Sequence, residues 1–237
     1  MALCGMPPEI WPTYPAHPQI ALRITSNPPD LSAALAATVE SQWQAAIAAR
    51  HLFNGQVFNA DRVTPSLIEG HWTEYRRLVA SWADPAIFEQ LQPRTLAVCG
   101  LLQCEGGVVL GRRSPAMAYL AGIWQSPPAG SIDPRAAQDG KVDPLVALRH
   151  ELREELGLSL DALTARPLCL VEHPGRGVLD LAYALATTLP FAQLVERHRA
   201  SGDTEYTDLI CVPPSHAEQA TAGKLSPATR ALLAWTG

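Results

Sequence analysis

The chain has 237 residues, of which 47% are hydrophobic and 17% are charged, and its formal net charge at pH 7 is −5. That length allows one large domain or two small ones, and the composition is typical of a soluble globular protein that buries a core. The acidic balance argues against a general binder of nucleic acid or of acidic membranes, although it is compatible with a local basic pocket.

The N-terminal sequence "MALCGMPPEI" has neither a cationic start nor a long apolar run, so it does not indicate a signal peptide. No segment reaches the roughly 18 apolar residues that cross a bilayer. The five cysteines are dispersed, form no CxxC pair and have no zinc-site spacing to histidines, which favours free, mostly buried thiols in a reducing compartment. We therefore expect a cytoplasmic protein without a membrane or nucleic-acid partner.

Residues 1–92 are predicted to form an N-terminal α+β extension or small domain. Its predicted elements, in chain order, are a strand at 18–25, a helix at 31–51 with Asp30 as N-cap, a strand within 52–64 after a turn at Asn54-Gly55, and a helix at 73–83 that ends at Asp84-Pro85. The sequence leaves open whether this segment packs as a separate domain.

Residues 93–237 have a different pattern and are predicted to form a second domain. The apolar runs "TLAVCGLLQC" and "GVVLGRR", separated by "EGG", indicate a β-hairpin. A loop at 114–141 rich in Pro and Gly follows, and the remaining predicted elements are a helix at about 144–156, strands near 167–173, 179–187 and 206–212, and two C-terminal helices in "SHAEQATAG" and "SPATRALLAW". Strands on both sides of a central helix indicate a mixed α/β architecture.

The central helix has clear start and stop signals. Asp143 is a good N-cap and Pro144 a good first helical residue, because proline lacks an N–H that would be unpaired there in any case. Gly157 is the residue type expected just after the C-terminus. With about 100° of turn per residue, the leucines of this helix form one buried stripe. Its members are Leu145, Leu148, Leu152 and Leu156.

Three glutamates, Glu151, Glu154 and Glu155, form a second stripe beside these leucines. One interpretation is a solvated acidic face with no ligand. However, like charges three and four residues apart repel each other, and the last turn of a helix favours cations over anions. A divalent cation would reverse both penalties, and oxygen ligands alone suit Mg²⁺ or Mn²⁺. Glu155 lies nearest the leucines, so we expect it to be more enclosed than Glu154.

The stretch "HELREELGL" resembles the end of the Nudix box, whose pattern is G-x5-E-x7-R-E-U-x-E-E-x-G-U with U aliphatic. The upstream "GIWQSPPAGSID" resembles the lead-in of that family and makes Gly130 the box glycine. Two departures follow. First, His150 stands where the family has arginine. Second, Gly130 precedes Glu151 by 21 positions where the pattern needs 15, which implies a six-residue insertion between them. Counted back from Glu151, the position of the upstream box glutamate is then occupied by Val142. Asp139 or Asp143 could replace that glutamate.

The resemblance implies a Nudix-type α/β/α sandwich with a mixed sheet, and hydrolysis of a nucleoside diphosphate linked to another group with Mg²⁺ or Mn²⁺. By position, it makes Glu151 and Glu155 the main metal ligands and Glu154 a ligand or proton acceptor, and the carbonyl of Gly130 could add an oxygen. In several branches of the family a glutamate outside the box is the general base, which here could be Glu205; the alternative is an exposed loop carboxylate.

Three further residues are candidates for substrate binding. Arg112 and Arg113 end a predicted strand beside the site and could contact phosphate through their guanidinium groups, or could be a solvated strand end. Trp124 could stack on a base or belong to the core. No Ser-His-Asp order, P-loop or GxGxxG sequence indicates another chemistry.

The substrate is less well defined by the sequence. "LFNGQVF" followed by a short helical segment and "RTLAVCGLL" is faintly similar to the Nudix enzymes that cleave UDP-glucose and UDP-galactose, so nucleotide sugars and ADP-ribose-like compounds are both open. The main alternative is a Nudix-fold protein with impaired turnover that binds a nucleotide or regulates another protein. A purely structural acidic helix is a third interpretation. A homodimer is compatible with the sequence.

Overall fold

The computed structural model describes residues 11–49, 52–117 and 119–236. It contains a large mixed β-sheet with helices packed on it, which confirms the expected mixed α/β fold. The strands are Thr13–Pro15 (β1), Ala21–Ile24 (β2), Gln56–Val63 (β3), Leu67–Glu74 (β4), Thr95–Cys104 (β5), Gly107–Arg113 (β6), Trp124–Gln125 (β7), Ala129–Ser131 (β8), Ala137–Gln138 (β9), Lys141–Val142 (β10), Thr164–His173 (β11), Val178–Ala186 (β12) and Tyr206–Val212 (β13). The α-helices are Ala33–Ala49 (α1), Tyr75–Ala83 (α2), Pro85–Leu91 (α3), Pro144–Leu156 (α4), Phe191–Ser201 (α5), Ala217–Ala220 (α6) and Pro227–Thr236 (α7).

The sheet joins strands from both halves of the chain. Its main path runs β1-β11-β12-β5-β3-β4-β2-β10-β9, with β6 and β8 paired to β5, and β7 and β13 paired to β6. The pairs β5–β12 and β2–β4 are parallel, and the other pairs are antiparallel. Asn59 of β3 lies opposite Thr95 of β5, and Lys141 of β10 lies opposite Arg23 of β2. The N-terminal strands therefore lie within the same sheet as the strands after residue 93, while the division into domains remains a prediction.

Successive residues of the central strands alternate between two cores. In β5, Leu96 and Val98 belong to a cluster that includes the buried leucines of α4, whereas Cys99 and Leu101 belong to a cluster covered by α7. This alternation follows from the two-residue period of a strand. The α4 leucines expected to form the buried stripe are almost inaccessible, except for the partly buried Leu145. Helix α4 therefore lies on one defined face of the sheet.

The predicted element positions agree with the structure where the local signal is strong. The β5–β6 hairpin and the strands at 164–173, 178–186 and 206–212 are present, and the first helix spans Ala33–Ala49, with residues 50 and 51 of its predicted range outside the described part. The sequence did not predict β4, α3 or α5. The loop expected at 114–141 also contains short strands, of which β9 and β10 form a hairpin on β2.

Four of the five cysteines lie in the described ranges and are free thiols, as expected: Cys99, Cys104, Cys169 and Cys211. Cys4 falls outside those ranges. Among the described residues, no helix combines the length and apolar character required to cross a bilayer. Cytoplasmic location and homodimerisation remain predictions.

Candidate functional site

Helix α4 is fixed at both ends by the residues that the sequence indicated. The Oδ1 atom of Asp143 accepts a hydrogen bond from the N–H of Leu145 at 2.9 Å, which confirms its role as N-cap. Gly157 has φ +62°, and its N–H bonds the carbonyls of Arg153 and Leu152. A Cβ there would lie 2.8 Å from the carbonyl oxygen of Arg197, so the position needs glycine for conformation and for space. These ends set the rotation of α4 and hence the direction of its glutamates.

The three glutamates of α4 differ strongly in exposure. Glu155 is only 2% exposed, and its two carboxylate oxygens accept from the N–H of Ala129 at 3.2 and 3.3 Å. Glu151 is half-buried, and the side chain of Glu154 is 61% exposed. The expectation that Glu155 is more enclosed than Glu154 is confirmed. Along this side of the helix, exposure therefore increases from Glu155 in the core through Glu151 to Glu154 in solvent.

Gly130 lies directly beneath the carboxylate of Glu151. It belongs to β8, where it pairs with Val98 of β5. A Cβ at residue 130 would lie 2.1 Å from the carboxyl carbon of Glu151, far inside van der Waals contact. The backbone of Gly130 is not in the left-handed region, so glycine is required here for space alone. The box glycine of the sequence resemblance and the first box glutamate are therefore direct neighbours.

The carboxylates lie within each other's electrostatic field. Burial is the main cause that raises the pKa of Glu151 to about 8, and the charges of Glu154 and Glu205 add to it, while Arg135 opposes it. Burial also raises the pKa of Glu155 well above its ordinary value, with further contributions from Glu151 and Glu205. Glu151 therefore lies close enough to the other glutamates for their charges to repel, and cations offset this repulsion only in part.

Arg113 and Glu205 form an ion pair within the electrostatic range of the α4 glutamates. Arg113 is buried, its NH1 atom lies 3.6 Å from Oε2 of Glu205, and its Nε donates to the carbonyl of Tyr119 at 3.1 Å. Burial raises the pKa of Glu205 although Arg113 opposes that shift; Asp203 and Glu154 raise it further. Glu205 is therefore a half-buried carboxylate that faces the glutamates of α4, as the sequence interpretation of a base outside the box requires.

Arg135 is a member of this site that the sequence did not identify. It lies in a short 3₁₀ turn, Pro134–Ala136, within the segment 133–141 that was predicted to contain the insertion, and its guanidinium contacts Asp133 and Nε2 of His150. His150 in turn lies with Nδ1 2.8 Å from Oε2 of Glu154, without the alignment of a hydrogen bond. The insertion thus brings an arginine to the place where the box carries histidine instead of arginine. The cap signal "DPR" was the only sequence indication of this turn.

Arg112 and Trp124 lie elsewhere. They are directly opposite each other in the β6–β7 pair, so their side chains share one face of the sheet. Trp124 packs against the core cluster covered by α7, which is on the opposite face from α4. Within the described residues, no hydrogen bond or ion pair joins either side chain to the carboxylates. Their roles in substrate binding remain predictions, and the contacts of Trp124 agree with the core alternative.

Val142 and Asp139 do not contribute carboxylates to the cluster. Val142 of β10 is buried in the core, opposite Leu22 of β2. Asp139 lies in the β9–β10 turn at φ +49°, exposed to solvent. Asp143 is engaged as the helix cap. Among the described residues, the acids whose charges raise the pKa of Glu151 are Glu154, Glu205 and Asp133, and Asp133 is paired with Arg135.

Removal of divalent metal should make stability depend on pH through Glu151. Because the pKa of Glu151 is raised from 4.5 to about 8 in the folded state, the native protein holds a proton that the unfolded chain releases, and stability falls as pH rises between these values. The slope from one such group is at most about 1.4 kcal/mol per pH unit. We expect Glu151→Gln to flatten the decline in unfolding free energy measured with urea at pH 5, 6.5 and 8 in chelator. The exposed Glu196 on α5 offers a matched control, and equal slopes in wild type and Glu151→Gln would contradict the prediction.

Known proteins resemble the part of the chain that carries this site. Residues 91–181 match the family model described as NUDIX domain. That segment includes Gly130 and all of α4 but ends before Glu205. No curated protein matches the chain.

Several solved structures are similar to the chain. The MutT NUDIX hydrolase from Burkholderia pseudomallei is 24% identical, with 62% of this chain and 99% of that one covered at a TM-score of 0.44. The NUDIX domain of Shewanella oneidensis NrtR, solved in complex with ADP ribose, is 15% identical, with 66% and 94% covered at 0.45. A C. elegans Ap4A hydrolase is 16% identical, with 60% and 93% covered at 0.40.

Proposed function

Residues 91–181 match the NUDIX domain family, and from this premise we propose that the chain is a Nudix pyrophosphohydrolase that hydrolyses the diphosphate bond of a nucleoside diphosphate linked to another group. The substrate classes are nucleotide sugars and ADP-ribose-like compounds. The products would be a nucleoside monophosphate and the phosphorylated second group. The reaction depends on Mg²⁺ or Mn²⁺.

One observation carries this proposal: the carboxylate of Glu151, packed against Gly130, lies within the electrostatic range of Glu154, Glu155 and Glu205. A merely solvated acidic face would leave its carboxylates apart and hydrated. Here Glu155 is 2% exposed, and the pKa of Glu151 is raised to about 8 by burial and by neighbouring acids. Crowded, buried carboxylates destabilise the protein when no ligand is bound. Carboxylates with raised pKa values are most common at sites of catalysis or metal binding.

The donor set fits a divalent cation. Oxygens of Glu151 and Glu154 and a ring nitrogen of His150 lie within 4.8 Å of one another, and Glu155 adds a buried carboxylate beside Glu151. We assign Glu151 and Glu155 as the main ligands, Glu154 as a ligand or proton acceptor, and the Gly130 carbonyl as a further oxygen. When bound, Mg²⁺ or Mn²⁺ would neutralise phosphate charge and acidify the attacking water.

Two other side chains complete the proposed chemistry. Glu205 accepts the proton of the attacking water, and because burial raises its pKa it is a stronger base than an exposed carboxylate. Arg113, on the same face of the sheet, binds a phosphate oxygen of the substrate and stabilises the charge that develops on the leaving phosphate. Its ion pair with Glu205 orients both groups before substrate arrives.

A specific observation also supports the alternative of a nucleotide-binding protein with impaired turnover. Val142 occupies the position of the upstream box glutamate and is buried in the core, so that carboxylate is missing from the site. Arg135 supports turnover, because it places a cation beside His150, Glu151 and Glu154, where the box arginine is missing. We favour turnover for this reason.

A substrate panel separates these two functions. The purified chain is incubated with UDP-sugars, ADP-ribose and related dinucleotides, with Mg²⁺, with Mn²⁺ or with chelator, and nucleoside monophosphate release is measured by chromatography. Metal-dependent release from one class supports the hydrolase and identifies the class. Retention of a compound in equilibrium dialysis without product in any metal supports the binding protein.

Divalent metal should also stabilise the fold. A cation bound only by the native state at ten times its dissociation constant adds about 1.4 kcal/mol, or roughly 3–6 °C in Tm for a chain of this size. We expect this rise with Mn²⁺ or Mg²⁺ in thermal melts, compared with NaCl at equal ionic strength. The same rise in a Glu151→Gln/Glu155→Gln double variant would place the bound ion elsewhere.

A further inference from the structure

Two cysteines from distant parts of the chain meet at the end of the β5–β6 hairpin. Cys104 is the last residue of β5, and Cys211 lies near the end of β13, 107 positions later. Their Sγ atoms are 3.3 Å apart, and both residues are partly exposed. Cys99 and Cys169, by contrast, are buried in the cluster covered by α7. Cys104 and Cys211 are therefore thiols that contact each other and can be reached from solvent.

A glycine of β6 allows these two side chains to meet across that strand. Cys104 lies opposite Gly107 of β6, and Cys211 lies opposite Val109 of the same strand. A Cβ at residue 107 would lie 2.1 Å from the carbonyl oxygen of Val212, so any larger residue would push β13 away. Glycine at this position thus permits the close approach of β13 to the end of β5.

The two sulfur atoms are near bonding distance. A disulfide bond is about 2.05 Å long, so the Sγ atoms need to approach each other by roughly 1.2 Å. Glu105 and Gly106, which form the turn of the hairpin, are both exposed. The exposed end of the hairpin can therefore take up a shift of this size.

The surroundings give the two thiols different roles. Burial, together with the neighbouring Cys211 and Glu105, raises the pKa of Cys104 to about 12. Cys104 therefore stays protonated at neutral pH, and its S–H can donate to the sulfur of Cys211. A thiolate at Cys211 is stabilised by this hydrogen bond, and the thiolate is the nucleophilic form of cysteine. Cys211 is thus the residue that attacks first.

We propose that Cys104 and Cys211 form a reversible disulfide bond by exchange with a small disulfide compound. Cys211, after loss of its proton, attacks one sulfur of that compound; the S–S bond breaks, and one half leaves and takes up a proton. Cys104 then loses its proton, attacks Sγ of Cys211 in the mixed disulfide and releases the second half as a thiol. The two cysteines are oxidised by two electrons, and the small disulfide is reduced to two thiols.

The bond would tie an edge strand to the centre of the sheet. In the described part of the chain, β13 is joined to the sheet through β6. Strands held in this way open locally, and a covalent link to β5 would oppose that opening. In a reducing compartment the bond is transient and forms when the ratio of disulfide to thiol rises. The proposal does not depend on the diphosphatase function, because Arg113 lies at the other end of the β6–β13 ladder.

The test measures bond formation in the full chain. Cys4 is replaced by serine in every sample so that it cannot compete, and the protein is equilibrated with glutathione at increasing ratios of disulfide to thiol. Free thiols are then alkylated in denaturant, and a non-reducing digest is analysed by mass spectrometry. We expect one pair of linked peptides that joins Cys104 to Cys211, with Cys99 and Cys169 alkylated. Oxidation should raise Tm by roughly 5–15 °C, and dithiothreitol should reverse the rise.

Variants show whether this pair is responsible. Cys211→Ser should lose both the linked peptides and the rise in Tm on oxidation. Cys99→Ser is the matched control, since it makes the same change at a core thiol and should retain both effects relative to its own reduced form.

The proposal is wrong if every thiol remains free at the highest ratio, if the reaction stops at mixed disulfides with glutathione, or if the bond involves Cys99 or Cys169. An unchanged Tm in fully linked protein would overturn the bracing of β13. If Cys211→Ser fails to fold by circular dichroism, Cys104→Ser removes the other half of the pair and is judged by the same criteria.

Discussion

Replacement of Glu155 by glutamine is expected to lower kcat roughly 100-fold or more on any substrate that the wild type cleaves. Residues that only support a metal ligand typically contribute about 10- to 100-fold, so loss of a direct ligand should exceed that range. Glutamine keeps the volume of the side chain and can still accept from the N–H of Ala129. The fold should therefore persist, and the metal-free protein should not be destabilised, because a carboxylate with a raised pKa has been removed.

Two further variants sharpen this measurement. Glu196→Gln, on the exposed face of α5, makes the same chemical change away from the site and should leave kcat unchanged. Glu154→Gln should be milder than Glu155→Gln, since the side chain of Glu154 is 61% exposed, unless Glu154 accepts the proton of the water. Near-normal turnover of Glu155→Gln would rule out its assignment as a ligand.

Replacement of Gly130 by alanine should lower activity by about 100-fold, because a displacement of roughly 1 Å in a catalytic group can cost that much. The added methyl group would lie 2.1 Å from the carboxyl carbon of Glu151, and the end of that side chain must move away. The backbone at 130 suits any residue, so the loss of stability should be small. Steady-state kinetics and a thermal melt on the same sample separate the two effects.

A double-mutant cycle identifies the cause of that loss. If alanine acts by displacing Glu151, then Gly130→Ala should have little additional effect in a Glu151→Ala background. Gly55→Ala is a matched control, since its Cβ would meet only the ring of Phe53, which is 85% exposed and free to turn. Fully additive effects of Gly130→Ala and Glu151→Ala would contradict this mechanism.

The parts of the site that the sequence predicted correctly depend on local physics. The N-cap Asp143, the C-terminal Gly157 and the leucine stripe of α4 are signals that extend over a few residues, and each is confirmed. The burial order of the glutamates follows from their angle to the leucines on the same helix. The contact between Gly130 and Glu151 spans two elements, and the sequence indicated only, through the family resemblance, that both residues belong to one metal site.

The features that the sequence did not predict depend on which elements meet. The alternation of β6 requires Arg112 and Arg113 to point to opposite faces, but only the position of α4 decides that Arg113 meets the carboxylates. Arg135 reaches His150 because β9 and β10 form a hairpin on β2, which lies more than a hundred residues earlier. Strand β4 was missed because its buried polar side chains line a cavity and therefore do not give the pattern of a core strand.

The pairing of β10 with β2 has a consequence for synthesis and for truncation. During translation, β2 emerges long before β10 exists, so one edge of the early sheet stays open until the middle of the chain has left the ribosome. A fragment that starts at residue 93 would lack β2, β3 and β4, and would expose β10 together with one side of β5. Unpaired strand edges of this kind recruit strands from other molecules. We therefore expect a fragment of residues 93–237 to self-associate more readily than the full chain.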